Sequence, residues 1–497
     1  MGAAILLTMM LFNIGMVLRE EMPAISNVQG FFSIDPDDYN SSEHGRDLAI
    51  DGENNIIVVG STSASKFPEQ KHEYFKKKGN GEAVVMKLLS NGTLCWSTLL
   101  GGSSNDRALS VAVDRSENIV VTGKTWSAHI YIMNASDNSF DSNEGAADAF
   151  IAKFDSEGAL IWSSFLVDDY FNIGMDVAFD YENNVVVVGR AGSRAFISKF
   201  HENGVLIWTQ FLQDAVGSGI AVDSQNSIII TGNAFSDNFP LLNPYDGNYS
   251  HSRCFLTKIN STGTLMWSTF LGDESYGPGV SVSIMNGDEI VVVGEDFNII
   301  KLTPMGIPIW NTTASNCTIW MSSNLDGCPG FTIDDQNNLL IGGSVEFEAC
   351  PTVNAFDASY NGMIDAFLAK YSSTGSLLWS SFVGGAATDR GYGLATDMNE
   401  SVYFTGETFS TSFTENKPDD ADRDVYFDIF ISKFTANGTM EWTIFIDGIN
   451  KEPPDLIQYG LIFLTGAGVV LASIIAFLVI RKRKTNETEK KLRASHP

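Results

Sequence analysis

Seven times along this chain a lysine is followed five residues later by a glycine and four residues after that by a tryptophan, with no member missing. The tryptophans are Trp96, Trp162, Trp208, Trp267, Trp310, Trp379 and Trp442. The lysines nine residues before them are Lys87, Lys153, Lys199, Lys258, Lys301, Lys370 and Lys433, and the glycines between are Gly92, Gly158, Gly204, Gly263, Gly306, Gly375 and Gly438. A second pattern precedes six of the sets, an Asp nine residues before a Gly that closes an apolar run: Asp51/Gly60, Asp114/Gly123, Asp180/Gly189, Asp223/Gly232, Asp334/Gly343 and Asp397/Gly406. The fifth copy keeps Gly294 but carries Met285 in place of the Asp. Self-similarity at such a period excludes an ordinary single-core domain and implies an array of like units. The seven units fill residues 30 to 447.

Within a unit the apolar residues alternate or form short β-branched runs, as in Asn118–Thr122, Ala149–Lys153 and Leu160–Ser164, each bounded by Gly, Asn or Asp. That is strand and hairpin chemistry, with four strands per unit. Four-stranded antiparallel repeats at this spacing predict the blades of an all-β, seven-bladed β-propeller, which packs its sheets radially around a channel. The Asp suits the turn between the first and second strands, where its carboxylate takes turn N–H groups. The glycine before each Trp suits the turn between the third and fourth strands, where a positive φ is needed. The Trp then lies on the fourth, outermost strand and covers apolar surface between blades. Pro308 agrees with that edge position. Phe31–Ile34 reads as a fourth strand arriving early, either pairing beside Trp442–Ile446 or lying over the rim.

The segments Trp379–Gly385 (WSSFVGG), Gly391–Asp397 (GYGLATD), Ser65–Pro68 (SKFP) and Asp148–Phe154 (DAFIAKF) resemble the seven-bladed beta-propeller repeats called SBBP. The likeness covers about 85% of the chain. It implies exported or surface proteins of prokaryotes and no common reaction. Units two, three, five and seven depart from it by lacking the Gly-Gly pair after the fourth strand.

Composition sets the surroundings of the array. The chain has 497 residues, 31 basic and 60 acidic side chains and a net charge of -29, which excludes a basic nucleic-acid binder. Residues 456–480 form an uncharged run of 25, followed at once by Arg481, Lys482, Arg483 and Lys484. At about 1.5 Å per residue such a run spans a bilayer core as one helix. The basic tail, 481–497, then lies in the cytoplasm and the array outside, with 450–455 as linker. Gly2–Leu18 is also uncharged, so residues 1–26 read as an export signal or an uncleaved hydrophobic anchor, and 27–449 as a propeller ectodomain.

Candidate chemistry is sparse. No nucleophile motif, phosphate loop, His-x-x-x-His or Cys-x-x-Cys pair is present. The repeated lysines read as packing elements with the ammonium near an acid such as the turn Asp. No cofactor is indicated beyond weak Ca²⁺ binding by the acidic segments Asp35–Asp38 and Asp419, Asp420, Asp422 and Asp424. Cys317 and Cys328 are placed to staple an insertion, whereas Cys95 and Cys254 read as buried thiols. Nine Asn-x-Ser/Thr sequons before residue 456 permit glycosylation.

The loops between second and third strands are long in five units, and they share a face with the segments joining successive blades. Asp106, Arg107, Asp389 and Arg390 fall on those segments as exposed side chains, and with Arg46 they are the candidate binding residues. The expected function is a membrane-anchored binding or adhesion module for an extracellular protein or glycan. The alternatives are a propeller enzyme acting on a polysaccharide and a structural envelope protein.

Overall fold

In a computed structural model the described residues are 31–32 and 42–447, apart from 65–66, 75–80, 128–129, 131–132, 134–146, 167–170, 249–252, 272–278, 295–297, 314–329, 347–349, 411–412 and 414–426. All of them fall in one compact unit. They form seven sheets, one per repeat, each of four antiparallel strands, with a fifth, parallel strand added on the outer edge of blade 1 (Gln70–Tyr74) and of blade 7 (Phe31–Phe32). Blade 1 is built from Glu43–Ile50, Ile56–Thr62, Glu82–Leu88 and Leu94–Leu100. Blade 7 is built from Asp389–Thr396, Val402–Thr408, Asp428–Phe434 and Met440–Ile446. Blades 2 to 6 begin at Asp106, Asn172, Ala215, Gly279 and Gly330. First strands pack on those of both neighbouring blades, and blade 7 on blade 1 completes the circle.

Ring closure involves no exchange of the four main strands between the two ends of the chain. Phe31–Phe32 instead pairs in parallel with Phe445 and Ile446 on the outer edge of blade 7, the first of the two predicted placements. The N–H of Glu43 donates to the carbonyl of Phe427 across the seam at 2.8 Å.

The recurrent triplet is explained by one contact. Every repeat glycine has φ between 76° and 88°, a region open to glycine at little cost. Each also lies under the Trp of the preceding blade. A Cβ at Gly158 would meet the Trp96 ring at 2.8 Å, one at Gly204 the Trp162 ring at 2.8 Å, and one at Gly92 the Trp442 ring at 3.5 Å, which carries the series across the closure. The indole N–H groups of Trp162, Trp208 and Trp379 donate to hairpin carbonyls of the following blade, at Glu202, Ser261 and Ala436.

The lysines reach the turn acids as expected in five blades: Lys87–Asp51, Lys153–Asp114, Lys199–Asp180, Lys258–Asp223 and Lys370–Asp334, at 2.6 to 2.9 Å. In blade 5, where Met285 replaces the Asp, Lys301 pairs with Glu289. In blade 7 Lys433 pairs with Glu441, while Asp397 accepts the hydroxyl of Tyr403. Burial would raise these aspartates, but hydrogen bonds from lysine and asparagine hold Asp51, Asp114, Asp180 and Asp334 below the usual carboxylate range.

The long loops do more than project from one face. In blades 1, 2, 4 and 6 each runs down over the outermost strand and is clasped by the serine after the repeat Trp. Ser97 Oγ donates to the Pro68 carbonyl and Ser380 Oγ to the Pro351 carbonyl, both at 2.6 Å, and Ser268 does the same to Pro240. Ser163 Oγ accepts the Met133 N–H at 3.0 Å. Beside each clasp an apolar side chain plugs the top of the blade: Phe67, Ile130, Phe239 and Cys350, with Phe413 in blade 7, all at most 6% exposed. Such coverage blunts edge strands that would otherwise offer free backbone groups. Blades 3 and 5, with short loops, carry Thr209 and Asn311 in place of the serine. Their outer hairpins expose Ile207 and Phe211 in one case and Ile307 and Ile309 in the other.

Cys254 is buried and free as expected, but Cys95, also free, is exposed, because it points outward on the fourth strand of blade 1. Cys350 is disulfide-bonded. Cys317, Cys328, the acidic segments 35–38 and 419–424 and the uncharged run 456–480 lie outside the described residues. Among the described residues no helix is long and apolar enough to cross a membrane.

Candidate functional site

The first strands line the channel, and six of the seven carry a register shift one-third of the way along: Gly45/Asp47, Ala108/Ser110, Gly174/Asp176, Gly217/Gly219, Gly279/Ser281 and Gly391/Leu394. A bulge re-aims the side chain that follows it and leaves backbone groups outside the ladder. Asp47 accepts the N–H of Val111 in blade 2 at 3.0 Å, and Asp176 accepts that of Ile220 in blade 4 at 2.9 Å and the Ser110 hydroxyl at 2.9 Å. Two carboxylates therefore stitch neighbouring blades from inside the channel. Burial pushes Asp47 up to about 7, with the nearby Asp176 adding to the rise, and Asp176 up to about 6.

The channel encloses a cavity of about 260 Å³, below the ordinary range of about 300–1,000 Å³ for small-molecule sites. At its seam between blades 7 and 1 sits a denser group. Glu407 Oε2 takes His44 Nδ1 at 2.6 Å and Arg46 Nη2 at 3.2 Å. Its Oε1 takes Arg390 Nη1 at 2.8 Å and the Tyr392 hydroxyl at 3.2 Å. Burial alone would raise Glu407, but the Arg46 guanidinium, His44 and Arg390 hold it far below the usual carboxylate range. The Arg46 guanidinium lies over the Tyr392 ring at 4.5 Å and that of Arg390 over Phe427 at 5.1 Å. Phe427 also packs on His44 and on Phe409, which is 38% exposed.

Two predicted site residues, Arg46 and Arg390, are thus brought together by two different blades onto one carboxylate. The others are not part of that group. Asp106 and Asp389 are not exposed loop side chains, since each begins a first strand and is at most 1% exposed. Asp106 accepts the hydroxyls of Thr125 and Ser127 and the Gly102 N–H, and Asp389 those of Thr408 and Ser410 and the Gly385 N–H. These carboxylates hold the turn that joins one blade to the next. Arg107 is half-buried, with its guanidinium over the Trp126 ring at 5.7 Å.

His44, Tyr392, Phe427, Glu407 and the channel acids Asp47 and Asp176 did not stand out in the sequence. The available signal was register: the position after the strand-closing Gly, occupied by Ser61, Lys124, Arg190, Asn233 and Ser344 in units one to four and six, is acidic in units five and seven, as Glu295 and Glu407. Only pairing across the seam shows what Glu407 meets.

Residues 96–131 match the SBBP beta-propeller repeat. An uncharacterized WD repeat-containing protein of Acanthamoeba polyphaga mimivirus is 20% identical over a 452-residue alignment, which takes in 73% of this chain and 30% of the relative. The chain therefore spans about a third of that relative's length. Among solved structures, a protein of unknown function from Bacteroides caccae aligns with a TM-score of 0.36 at 11% identity, covering 69% of this chain and 94% of that one. The Dos1 propeller aligns with a TM-score of 0.40 at 8% identity, covering 74% and 90%. The seven sheets and their closure make the chain a seven-bladed β-propeller, and one stretch of it, residues 96–131, is similar to the SBBP beta-propeller repeat.

Proposed function

We propose that the protein is a binding module whose ligand docks over the seam of blades 7 and 1, on the face that carries the inter-blade connections. The supporting observation is the Arg46–Glu407–Arg390 group. Two guanidiniums from blades 1 and 7 converge there on one buried carboxylate, beside Phe427 and the partly exposed Phe409, in a chain of net charge -29. That combination suits an anionic group on an extracellular protein or glycan, since a planar guanidinium pairs with carboxylate or sulfate through two parallel bonds. The small channel favours docking on the face over burial within it.

Display outside a membrane, held by 456–480 with the basic tail inside, completes the reading. Protease added to intact cells then removes the propeller and spares the tail. The ligand itself is sought by probing protein and glycan arrays with the purified full chain and with Arg390→Gln. Binding to acidic targets that falls at least ten-fold in the variant, at an unchanged melting temperature, supports the reading; equal binding by both proteins overturns it.

A second reading, an enzyme, starts from Asp47 and Asp176, whose raised pKa values and position in the channel are those of candidate acids. Both carboxylates are already engaged by backbone N–H groups of neighbouring blades, so the binding reading is the better supported.

A further inference from the structure

Acid pairs recur where one blade meets the next. Asp106 of blade 2 lies by Glu82 of blade 1, and Asp389 of blade 7 by Asp365 of blade 6. In both, the residue five past the repeat Trp is glycine: a Cβ at Gly101 would sit 1.9 Å from Glu82 Oε2 and 2.6 Å from Asp106 Oδ2, and one at Gly384 2.7 Å from Asp389 Oδ2. In both, the second oxygen of the first-strand Asp is served by a serine two residues past the capping threonine, Ser127 at 3.0 Å and Ser410 at 2.7 Å.

The junction of blade 7 with blade 1 departs from this at three points. The first-strand acid is Glu43, facing Asp428 of blade 7. The residue five past Trp442 is Asp447, and the residue two past Thr62 is Ala64. A hydroxyl donor is thus removed and a third carboxylate added at the one seam where the ring must close. Thr62 donates to Glu43 Oε1 at 2.7 Å. The other oxygen, Oε2, meets no hydrogen-bond donor, although Glu43 is 0% exposed. One oxygen each of Glu43, Asp428 and Asp447 lies within 4.8 Å of the other two. Oxygens around one Ca²⁺, each at about 2.3–2.6 Å from it, are separated by at most about 5 Å. An all-carboxylate set suits a hard cation rather than Zn²⁺ or Cu²⁺.

We propose that Glu43, Asp428 and Asp447 hold a calcium ion that clasps blade 7 to blade 1. Left without it, three acids in this space repel one another, and burial with the charges of Asp447 and Asp428 drives Glu43 well above its ordinary range. None of its three residues belongs to the acidic segments 35–38 and 419–424. It also does not depend on the ligand proposed above.

The test uses the full chain stripped with chelator at neutral pH, titrated with CaCl₂ by calorimetry and followed by thermal melting. The wild type should bind one tight equivalent and melt at least about 2 °C higher at a hundred-fold excess of ion over its Kd. Asp447→Gly, which installs the residue of blades 1 and 6, should weaken Kd at least ten-fold and lose the melting shift, while melting in chelator no lower than wild type. Asp428→Asn should lose affinity in the same way if Asp447→Gly fails to fold. A wild type indifferent to 10 mM Ca²⁺ would show instead that the acids share a proton, and wild-type affinity in both variants would put the ion elsewhere. Either result overturns the clasp.

Discussion

Gly158 and Gly287 both have left-handed backbone, at φ of 80° and 89°, yet their surroundings differ. Gly158 lies against the Trp96 ring, whereas a Cβ at Gly287 would meet nothing within 4 Å. Gly287→Ala should therefore cost only the backbone preference, about 1–2 kcal/mol. Gly158→Ala adds displacement of a buried indole and should cost about 3–4 kcal/mol, a difference that denaturant melts of the two variants resolve; equal losses would deny the Trp–Gly contact its role. A second pair separates structural from surface positions. Asp106→Ala strands two hydroxyls and an N–H and should cost on the order of 3 kcal/mol, while its neighbour Arg107→Ala should stay within about 0.5 kcal/mol. The repeat made the glycines and tryptophans legible because their roles recur in every blade. Asp106 was misread because its sequence neighbours resemble a loop, and only the Thr125 and Ser127 hydroxyls, some twenty residues away, show that it is enclosed.

At the scale of elements, the blade strands were readable from period and turn chemistry, and the loops were not. Their lengths suggested a variable docking face, but the serine that clasps them is set by its place after a Trp on a distant strand. Ser380→Ala removes the donor to Pro351 and the acceptor for the Val353 N–H, at 3.1 Å in the native protein. Limited proteolysis should then cut faster within 346–364, with melting lowered by only a few degrees, since one clasp of about 1–2 kcal/mol is lost. Cleavage at the wild-type rate would mean that the plug residue alone holds the loop. Among the described residues blades 3 and 5 show no such clasp, so Thr209→Ala should leave proteolysis unchanged.

At the scale of the whole molecule, buried acids set the response to pH. Burial raises Asp47 and Asp365 to about 7 and Asp106 and Asp176 to about 6, against about 3.9 in an unfolded chain. The folded state thus keeps protons that the unfolded state has released. The stability these groups contribute is complete below about pH 4 and is lost as pH rises through 6 to 7. Glu407 and the lysine-paired aspartates act in the opposite sense, because their lowered values make stability fall as acid protonates them. In chelator, the melting temperature should therefore rise from pH 8 to about pH 5 and fall below about pH 4; a steady climb toward pH 8 would contradict the burial of these carboxylates. The ring itself followed from counting seven sets, whereas the seam did not, because Arg46 and Glu407 are separated by most of the chain and meet only when the circle closes. Whether that seam is where the protein binds is tested most directly by hydrogen–deuterium exchange of the full chain with and without its strongest array ligand. Added protection is expected over 43–47, 389–393 and 402–409, and protection confined to the outer strands Leu206–Leu212 and Pro308–Thr313, or to the turns of the opposite face, would contradict binding at the seam.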